Sequence, residues 1–193
     1  MQRRATKSSM QETHQYQVVA WWTSGRTGIA KSKSAPSAIH FTAPAEFGGL
    51  QGRWTPEDLL LGAIASCYTT TFGALAEHSR FEYADLEVEV QGTVRKADCG
   101  YRFSEIVLCP SLTISSEEGR ERALLLLQKA EALCLVSRAL SINQTLESRV
   151  QVNKPFSTAG SHTPPAAVDS IAWQGRAGAI GCSVAPDGVK PLE

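Results

Sequence analysis

The sequence lacks an excess of charge of either sign, because 19 Lys and Arg residues balance 19 Asp and Glu residues in a chain of 193. Proteins that coat nucleic acid carry a basic surplus, so we expect no nucleic-acid partner. The sequence also lacks an apolar run behind a basic start, which is the pattern of a secretory signal peptide. These absences predict a cytoplasmic protein.

Cysteine is scarce, and no two cysteines have metal-ligand spacing. The five cysteines include no C-x-x-C pair, which argues against a disulfide framework and a zinc ribbon. The four histidines are dispersed, and neither an H-E-x-x-H motif nor a glycine-rich phosphate loop occurs. We therefore expect no metal and no cofactor.

Periodic patterns are absent from both ends of the chain. Residues 1–13 are polar and aperiodic, and residues 154–193 hold five of the nine prolines and five of the fifteen glycines. Such compositions bury little apolar surface. We expect a flexible segment over 1–13, one domain over 14–153 and a disordered tail over 154–193.

The first part of the domain predicts three short strands and then a long helix. Val, Tyr, Trp and Ile are enriched in three runs that turn residues separate, at 14–22, 29–33 and 38–42. Thr55 is a good helix N-cap, Pro56 suits the first helical position, and the acid Glu57 complements the helix dipole. The helix should continue to about residue 78.

No charge occurs over residues 59–76 of this helix, a run of eighteen residues. That length is the lower limit for crossing a bilayer, and the run contains one serine and three threonines. We predict a helix buried on nearly all sides of a soluble core, with membrane association as the alternative. One small sheet and one further helix cover too little of it, so a second subunit is a natural partner.

The second part predicts a hairpin, a helix and a last strand. Apolar and polar residues alternate over 86–91, turn residues follow at 97–100, and residues 101–114 return as a strand. Ser115 and Glu118 form a capping box before a helix whose apolar face continues through Cys134. With a strand at 146–152, the order of elements predicts an α+β fold.

Two cysteines, Cys67 and Cys134, lie on the two predicted helices. A helical cysteine in an apolar run is ordinarily a small core residue. A reactive cysteine must be a thiolate, and in mid-helix its activation would need a nearby cation. One arginine at about 4 Å supplies about 4 kcal/mol, against about 2.7 kcal/mol for a pKa lowered by two units. The residues alone leave both interpretations open.

Four segments together resemble the signature regions of the OsmC/Ohr family of thiol peroxidases. They are SGRTG at 24–28, PAEFGGLQGRW at 44–54, TPEDLLLGAIASCYTTTF at 55–72 and ALCLVSRAL at 132–140. Their combination is specific, because Pro-Glu starts a helix ten residues before one cysteine and a second cysteine follows in C-x-V-S. The resemblance implies an OsmC-like fold, with antiparallel sheets around a long buried central helix, in an intertwined homodimer.

The resemblance also implies a site. Cys67 matches the peroxidatic cysteine and Cys134 the resolving one, while Arg26 and Glu57 match the arginine and glutamate that organise the thiolate. The implied activity is reduction of organic hydroperoxides, with hydrogen peroxide as a further substrate. An external dithiol, of the lipoyl type, would restore the two thiols. The alternative is a module on the same fold that binds a small hydrophobic ligand or senses redox state without peroxidase turnover.

Two features of the sequence leave the geometry of this site open. If Glu57 and Cys67 are both helical, about 15 Å separates them along the axis, so Glu57 cannot touch the sulfur itself. Three alternatives stay open: an arginine bridges part of that distance, Glu57 lies in the loop before the helix, or a second subunit supplies one of these groups. Without the resemblance, Arg26 is a solvated turn residue and Glu57 a helix N-terminal acid. The family commonly has proline after the resolving cysteine, whereas Leu135 here would let the second helix continue.

Overall fold

The computed structural model describes residues 13–153. The predictions of a flexible segment before residue 13 and of a disordered tail after residue 153 lie outside this range. The chain divides into two compact units between Leu60 and Leu61, within one long helix.

The first unit contains a three-stranded antiparallel sheet. Its strands are β1 (Val18–Ser24), β2 (Thr27–Ser32) and β3 (Ile39–Thr42), in the order β1-β2-β3. The predicted strands are confirmed, with boundaries shifted by a few residues. Gly28 fits only as glycine, because an added Cβ would lie 2.4 Å from the Phe41 ring and 2.7 Å from the Trp21 carbonyl oxygen.

A loop that contains a 3-10 helix (Ala45–Phe47) follows β3 and folds back on it. The Leu50 N–H donates to the Thr42 hydroxyl at 2.9 Å. Gly49 makes this path possible, because a Cβ there would lie 1.5 Å from the Ala43 carbonyl oxygen. The loop is thereby tied to the end of β3.

Helix α1 (Pro56–Ser79) begins at the predicted cap. The Asp58 N–H donates to the Thr55 hydroxyl at 3.1 Å, and the Thr55 N–H donates to the Asp58 carboxylate at 2.8 Å. These reciprocal bonds satisfy two amides that helix geometry leaves without partners. The sequence predicts this helix well because its start depends on local chemistry.

One face of α1 is buried by the chain itself. The four buried side chains follow a spacing of four residues: Ile64, Tyr68, Phe72 and Ala76. The other faces are half-buried or exposed, so burial on nearly all sides stays a prediction that needs a second copy. By length and composition α1 could also cross a membrane, a test that the core helix of a soluble protein meets equally well.

The second unit is built around β5 (Gly100–Ile114), which pairs with β4 (Asp85–Ala97) as the predicted antiparallel hairpin. Two short strands, β6 (Asn143–Leu146) and β7 (Arg149–Val152), pair with β5 in parallel. The sheet is therefore mixed. The single strand predicted at 146–152 is wrong, because β6 and β7 pair with different parts of β5.

Helix α2 (Arg120–Leu133) follows a 3-10 helix (Glu117–Gly119). The predicted cap at Ser115 is wrong by one residue, since the Glu118 N–H donates to the Ser116 hydroxyl at 3.3 Å. The core joins side chains of α1, β5 and α2, among them Tyr68, Phe72, Ile106, Leu108, Leu112 and Leu127. The α+β class predicted from the element order is confirmed.

Candidate active site

The second helical region is broken at Cys134, although no proline follows it. Helix α2 ends at Leu133, Cys134 is extended with φ −60° and ψ 113°, and helix α3 (Leu135–Arg138) begins at the next residue. The expectation that Leu135 lets the helix continue is wrong. Cys134 is 0% exposed whereas Leu135 is 72% exposed. Packing of Cys134 into the core thus overrides local helix propensity.

The break brings Cys134 to Cys67. The two side chains form a hydrogen bond, and Cys67 is half-buried while Cys134 is fully buried. Both cysteines are free thiols. The two predicted site cysteines, 67 residues apart in the sequence, are therefore in contact.

Three other groups also hydrogen-bond to Cys67. They are the backbone N–H groups of Leu135 and Val136, at the start of α3, and the hydroxyl of Thr71, one turn further along α1. The Thr71 hydroxyl donates to the Cys67 carbonyl oxygen at 2.7 Å. Cys67 is thus surrounded by donors from its own helix and from α3.

These contacts change the acidity of Cys67. Burial raises the pKa of the Cys67 thiol, but hydrogen bonds lower it by more, so the pKa lies below its ordinary range. In decreasing order of effect, the hydrogen bonds come from the Val136 N–H, the Cys134 thiol, the Leu135 N–H and the Thr71 hydroxyl. The sequence analysis expected a cation to lower this pKa. It missed the two amides because main-chain donors are independent of residue type.

Arg26 lies in the first unit, in the turn between β1 and β2. Its guanidinium donates to the Phe47 carbonyl, and its own carbonyl accepts from the Ala43 N–H at 3.0 Å. The chain then leaves the 3-10 helix through Gly48, whose φ of 75° is left-handed. Arg26 is exposed, but hydrogen bonds restrain both its main chain and its side chain.

Glu57 lies in the first turn of α1 and is half-buried. Its Oε2 atom is buried and has no hydrogen-bond partner among residues 13–153. Because Glu57 and Cys67 are both in α1, the axial separation of about 15 Å applies. The roles of Arg26 and Glu57 at the thiolate stay predictions.

Tyr68, next to Cys67, is a site residue that sequence reasoning did not assign. Its hydroxyl donates to the Leu127 carbonyl of α2 at 2.9 Å, and the side chain is fully buried. Burial, with the negative charge of Glu131, raises the pKa of Tyr68, so the phenol stays a donor. An aromatic residue in an apolar helix looks like packing, so no sequence signal marks this bond.

Gln144 was also missed. Its side-chain amide donates to the Ser137 carbonyl at 2.8 Å and so ties β6 to α3. The Ser137 hydroxyl is buried without a hydrogen-bond partner in the described chain. Within residues 13–153, no three His, Cys, Asp or Glu side chains are grouped to hold a metal ion.

The fold is α+β, and the Cys67 thiol of helix α1 contacts the Cys134 thiol at the break between α2 and α3. The family model described as OsmC-like protein matches residues 49–149. The chain belongs to the OsmC-like protein family, which confirms the resemblance found in the sequence.

Individual relatives agree with this assignment. The chain is 29% identical over 142 residues to the uncharacterized protein YmaD of Bacillus subtilis (strain 168). The matched segment covers 72% of this chain and 95% of YmaD. An OsmC-like protein of Vibrio cholerae superposes with a TM-score of 0.63 at 15% identity, over 70% of this chain and 99% of that one. The organic hydroperoxide resistance protein OsmC of Legionella pneumophila superposes with a TM-score of 0.60 at 20% identity, over 74% of this chain and 100% of that one. At these identities the two structures show the OsmC-like fold.

Proposed function

We propose that this chain is a cysteine-based peroxidase that reduces organic hydroperoxides, with hydrogen peroxide as a further substrate. The observation that carries the proposal is the contact of Cys67 with the buried thiol of Cys134, together with hydrogen bonds that hold the pKa of Cys67 below its ordinary range. The family supports it, because the Legionella pneumophila member is named for organic hydroperoxide resistance.

The first step oxidises Cys67. Its thiolate attacks the terminal oxygen of the hydroperoxide, and the O–O bond breaks. The sulfur keeps the hydroxyl as a sulfenic acid, and the alkoxide takes a proton from water and leaves as an alcohol. A lowered pKa of Cys67 favours this step, since only the thiolate is the nucleophile.

The second step forms a disulfide. The Cys134 thiol attacks the sulfenic sulfur of Cys67, the new S–S bond forms, and water leaves. Because Cys134 already contacts Cys67, this thiol meets the sulfenic acid before any dissolved thiol does. An external dithiol, for which we propose the lipoyl type, then reduces the disulfide by exchange and is itself oxidised.

Arg26 and Glu57 complete the proposed site. A guanidinium beside the sulfur would favour the thiolate, and a carboxylate would hold the guanidinium in place. The unpartnered Glu57 Oε2 is suited to accept such a bond. Either residue could come from the same chain or from a second copy.

We propose that the working form is a cytoplasmic homodimer with neither a nucleic-acid nor a membrane partner. The exposed face of α1 consists of small residues, including Ala63, Ser66, Thr70 and Ala74. Strand β1 separately exposes large apolar side chains: Val18 is 66% exposed, Trp21 52% and Trp22 75%. Apolar surface of this extent commonly marks an interface, and a second copy would cover it.

The cysteine roles are tested by single substitutions in the full chain. Cys67→Ser should abolish turnover of an alkyl hydroperoxide with a dithiol donor, because the nucleophile is lost. Cys134→Ser should consume about one equivalent of peroxide per site and form no intramolecular disulfide. Cys99→Ser is the matched control, since this exposed hairpin cysteine has no role in the cycle and turnover should be unchanged.

Anaerobic titration of the reduced chain with one equivalent of alkyl hydroperoxide, followed by mass mapping, identifies the bridge. A Cys67–Cys134 disulfide is expected. Full steady-state activity of Cys67→Ser would refute the proposal. A disulfide that forms without dithiol-driven turnover would instead favour the redox-sensing alternative.

A further inference from the structure

We propose that Gln144 is a positioning residue for Cys134: its side-chain amide anchors α3 to the sheet and so holds the resolving thiol beside Cys67. The bond that carries the inference runs from the Gln144 amide to the Ser137 carbonyl at 2.8 Å. The inference rests on the proposed disulfide between the two cysteines and adds a residue outside the reacting pair.

The break at Cys134 means that helix hydrogen bonds do not fix the direction of α3. The Cys134 N–H closes α2 on the Glu131 carbonyl at 3.2 Å, and the Arg138 N–H begins α3 on the Cys134 carbonyl at 3.0 Å. Each bond lies on its own side of Cys134, so neither holds one helix against the other. A single extended residue joins the two helices, and rotation about its two soft dihedral angles would turn α3.

Packing restrains α3 only weakly. Ser137 is its one buried residue, at 3% exposed, whereas Leu135 is 72% exposed and Arg138 is also exposed. A short helix depends on tertiary contacts for its position, and apolar burial supplies few of them here. A polar contact with a fixed element is therefore important for α3.

Gln144 supplies such a contact from the sheet. It lies in β6, opposite Ile106 of β5, which is 0% exposed. A carbonyl oxygen only accepts hydrogen bonds, so the amide reaches the Ser137 carbonyl through its NH2 group. The Ser137 hydroxyl and the Gln144 Oε1 atom are both buried, which indicates that the bond between these residues is shielded from water.

This anchor matters because disulfide geometry is narrow. The two Cα atoms must come within about 7 Å of each other, with their Cβ atoms facing. Cys134 is three residues from the anchored carbonyl, so release of α3 would let its thiol move away from Cys67. Gln144 therefore acts on the effective concentration of the resolving thiol and not on the nucleophile itself.

Gln144→Met removes the amide and keeps the length of the side chain. The Ser137 carbonyl still accepts from the Leu140 N–H at 3.1 Å in this variant. The substitution also removes the buried Oε1, which has no hydrogen-bond partner among residues 13–153. The reduced variant should therefore fold with nearly unchanged stability, because no new polar group is left unpaired. Thr145→Met, at the next and exposed position of β6, is the matched control.

The test equilibrates each full chain with mixtures of glutathione and its disulfide, without peroxide. Two glutathione thiols reduce the Cys67–Cys134 disulfide to two protein thiols and become one glutathione disulfide. Acid quenching, alkylation and mass spectrometry give the two fractions. We expect the equilibrium constant for disulfide formation to be about three- to tenfold lower in Gln144→Met, which is the effect of one neutral hydrogen bond. Thr145→Met should match the unmodified chain.

An equilibrium constant that Gln144→Met leaves unchanged would overturn the inference. It would do so even if the variant were less stable in urea, since Gln144 would then be a structural residue only. An unmodified chain that forms no disulfide between Cys67 and Cys134 would overturn it too. A chain that forms this disulfide but does not turn over hydroperoxide would refute only the proposed function.

A second variant keeps the inference testable if Gln144→Met does not fold. Gln144→Glu keeps the shape of the side chain, and its carboxyl group donates to the Ser137 carbonyl only when it is protonated. Its equilibrium constant, divided by that of the unmodified chain at the same pH, should therefore fall as the pH rises through the titration of the carboxyl. A ratio that does not change with pH would overturn the inference.

Discussion

At the scale of single residues, the acidity of Cys67 results from burial opposed by hydrogen bonding. Burial alone would keep the thiol protonated, as it does for most core cysteines. Hydrogen bonds from Val136, Cys134, Leu135 and Thr71 outweigh the effect of burial and lower the pKa of Cys67. The pKa of Cys67 is therefore lower in the folded than in the unfolded chain, which links its ionisation to stability.

The sign of this linkage gives a pH prediction. The folded pKa of Cys67 lies below the unfolded value of about 8.5, so the ionised thiol stabilises the fold at pH above the unfolded value. This stability is lost as the pH falls through the folded pKa. The unfolding free energy of the unmodified chain should thus rise, relative to Cys67→Ser, as the pH increases across that interval.

Urea denaturation at several pH values and one fixed chain concentration measures this difference. Both variants are kept reduced, so that no disulfide contributes. A difference between them that stays flat, or that falls as the pH rises towards 8.5, would show that folding does not lower the pKa of Cys67.

The sequence predicts the identity of the two thiols but not what surrounds them. The resemblance singled out Cys67 and Cys134, and the structure brings the pair together. The amides of Leu135 and Val136 escaped prediction because every residue except proline carries the same N–H. Their proximity to Cys67 depends on the backbone conformation of Cys134, which is extended between the two helices.

At the scale of elements, one hydroxyl joins the helix that carries Cys67 to α2. Tyr68 is on the buried face of α1 and donates to the Leu127 carbonyl. Since Leu127 is itself fully buried, this bond is shielded from water. It fixes the position of α1 relative to α2 beside the cysteine pair.

Tyr68→Phe should lower the unfolding free energy by about 1 kcal/mol, because it deletes this buried bond and keeps the ring. Tyr83→Phe is the matched control. Tyr83 is 40% exposed and its ring packs edge-on against Phe72 at 5.2 Å, a contact that the variant keeps. The control should change stability by less than about 0.5 kcal/mol. Equal denaturation midpoints for the two variants would contradict the prediction.

The sequence predicted the elements that depend on neighbouring residues, but it did not predict those that depend on pairing with residues far away in the sequence. The start of α1 follows from Thr55 and Asp58, which are three residues apart and bond to each other. The division between β6 and β7 follows from pairing with β5, whose Glu105 lies opposite Asn143. Such pairing across many residues leaves little trace in the composition of a short strand.

At the scale of the whole molecule, the unburied faces of α1 and β1 carry the dimer proposal. Gly73 shows how open α1 is, because a Cβ added there would meet no atom within 4 Å. Ala74, beside it, is exposed. A second copy packed on this face would place the uncharged helix at the centre of the assembly.

Ala74→Arg should weaken that assembly, because a buried charge without a partner is strongly unfavourable at an interface. Light scattering coupled to gel filtration measures the mass. We expect the unmodified chain to elute as a dimer and the variant to shift towards monomer. Thr93→Arg, on exposed residue 93 of the β4 hairpin arm, is the control and should stay dimeric. A dimer unaffected by Ala74→Arg would place the interface elsewhere.

The parallel pairing of β6 and β7 with β5 affects when Cys67 acquires its hydrogen-bond donors during synthesis. A nascent chain that has emerged only through β5 contains Cys67 but none of residues 134–136. Parallel pairing must wait for the intervening helices, and contacts between residues so distant in sequence form slowly. Until α3 arrives, Cys67 has none of its three donors from residues 134–136. The unfinished chain on the ribosome thus carries Cys67 without most of the hydrogen bonds that lower its pKa in the folded chain.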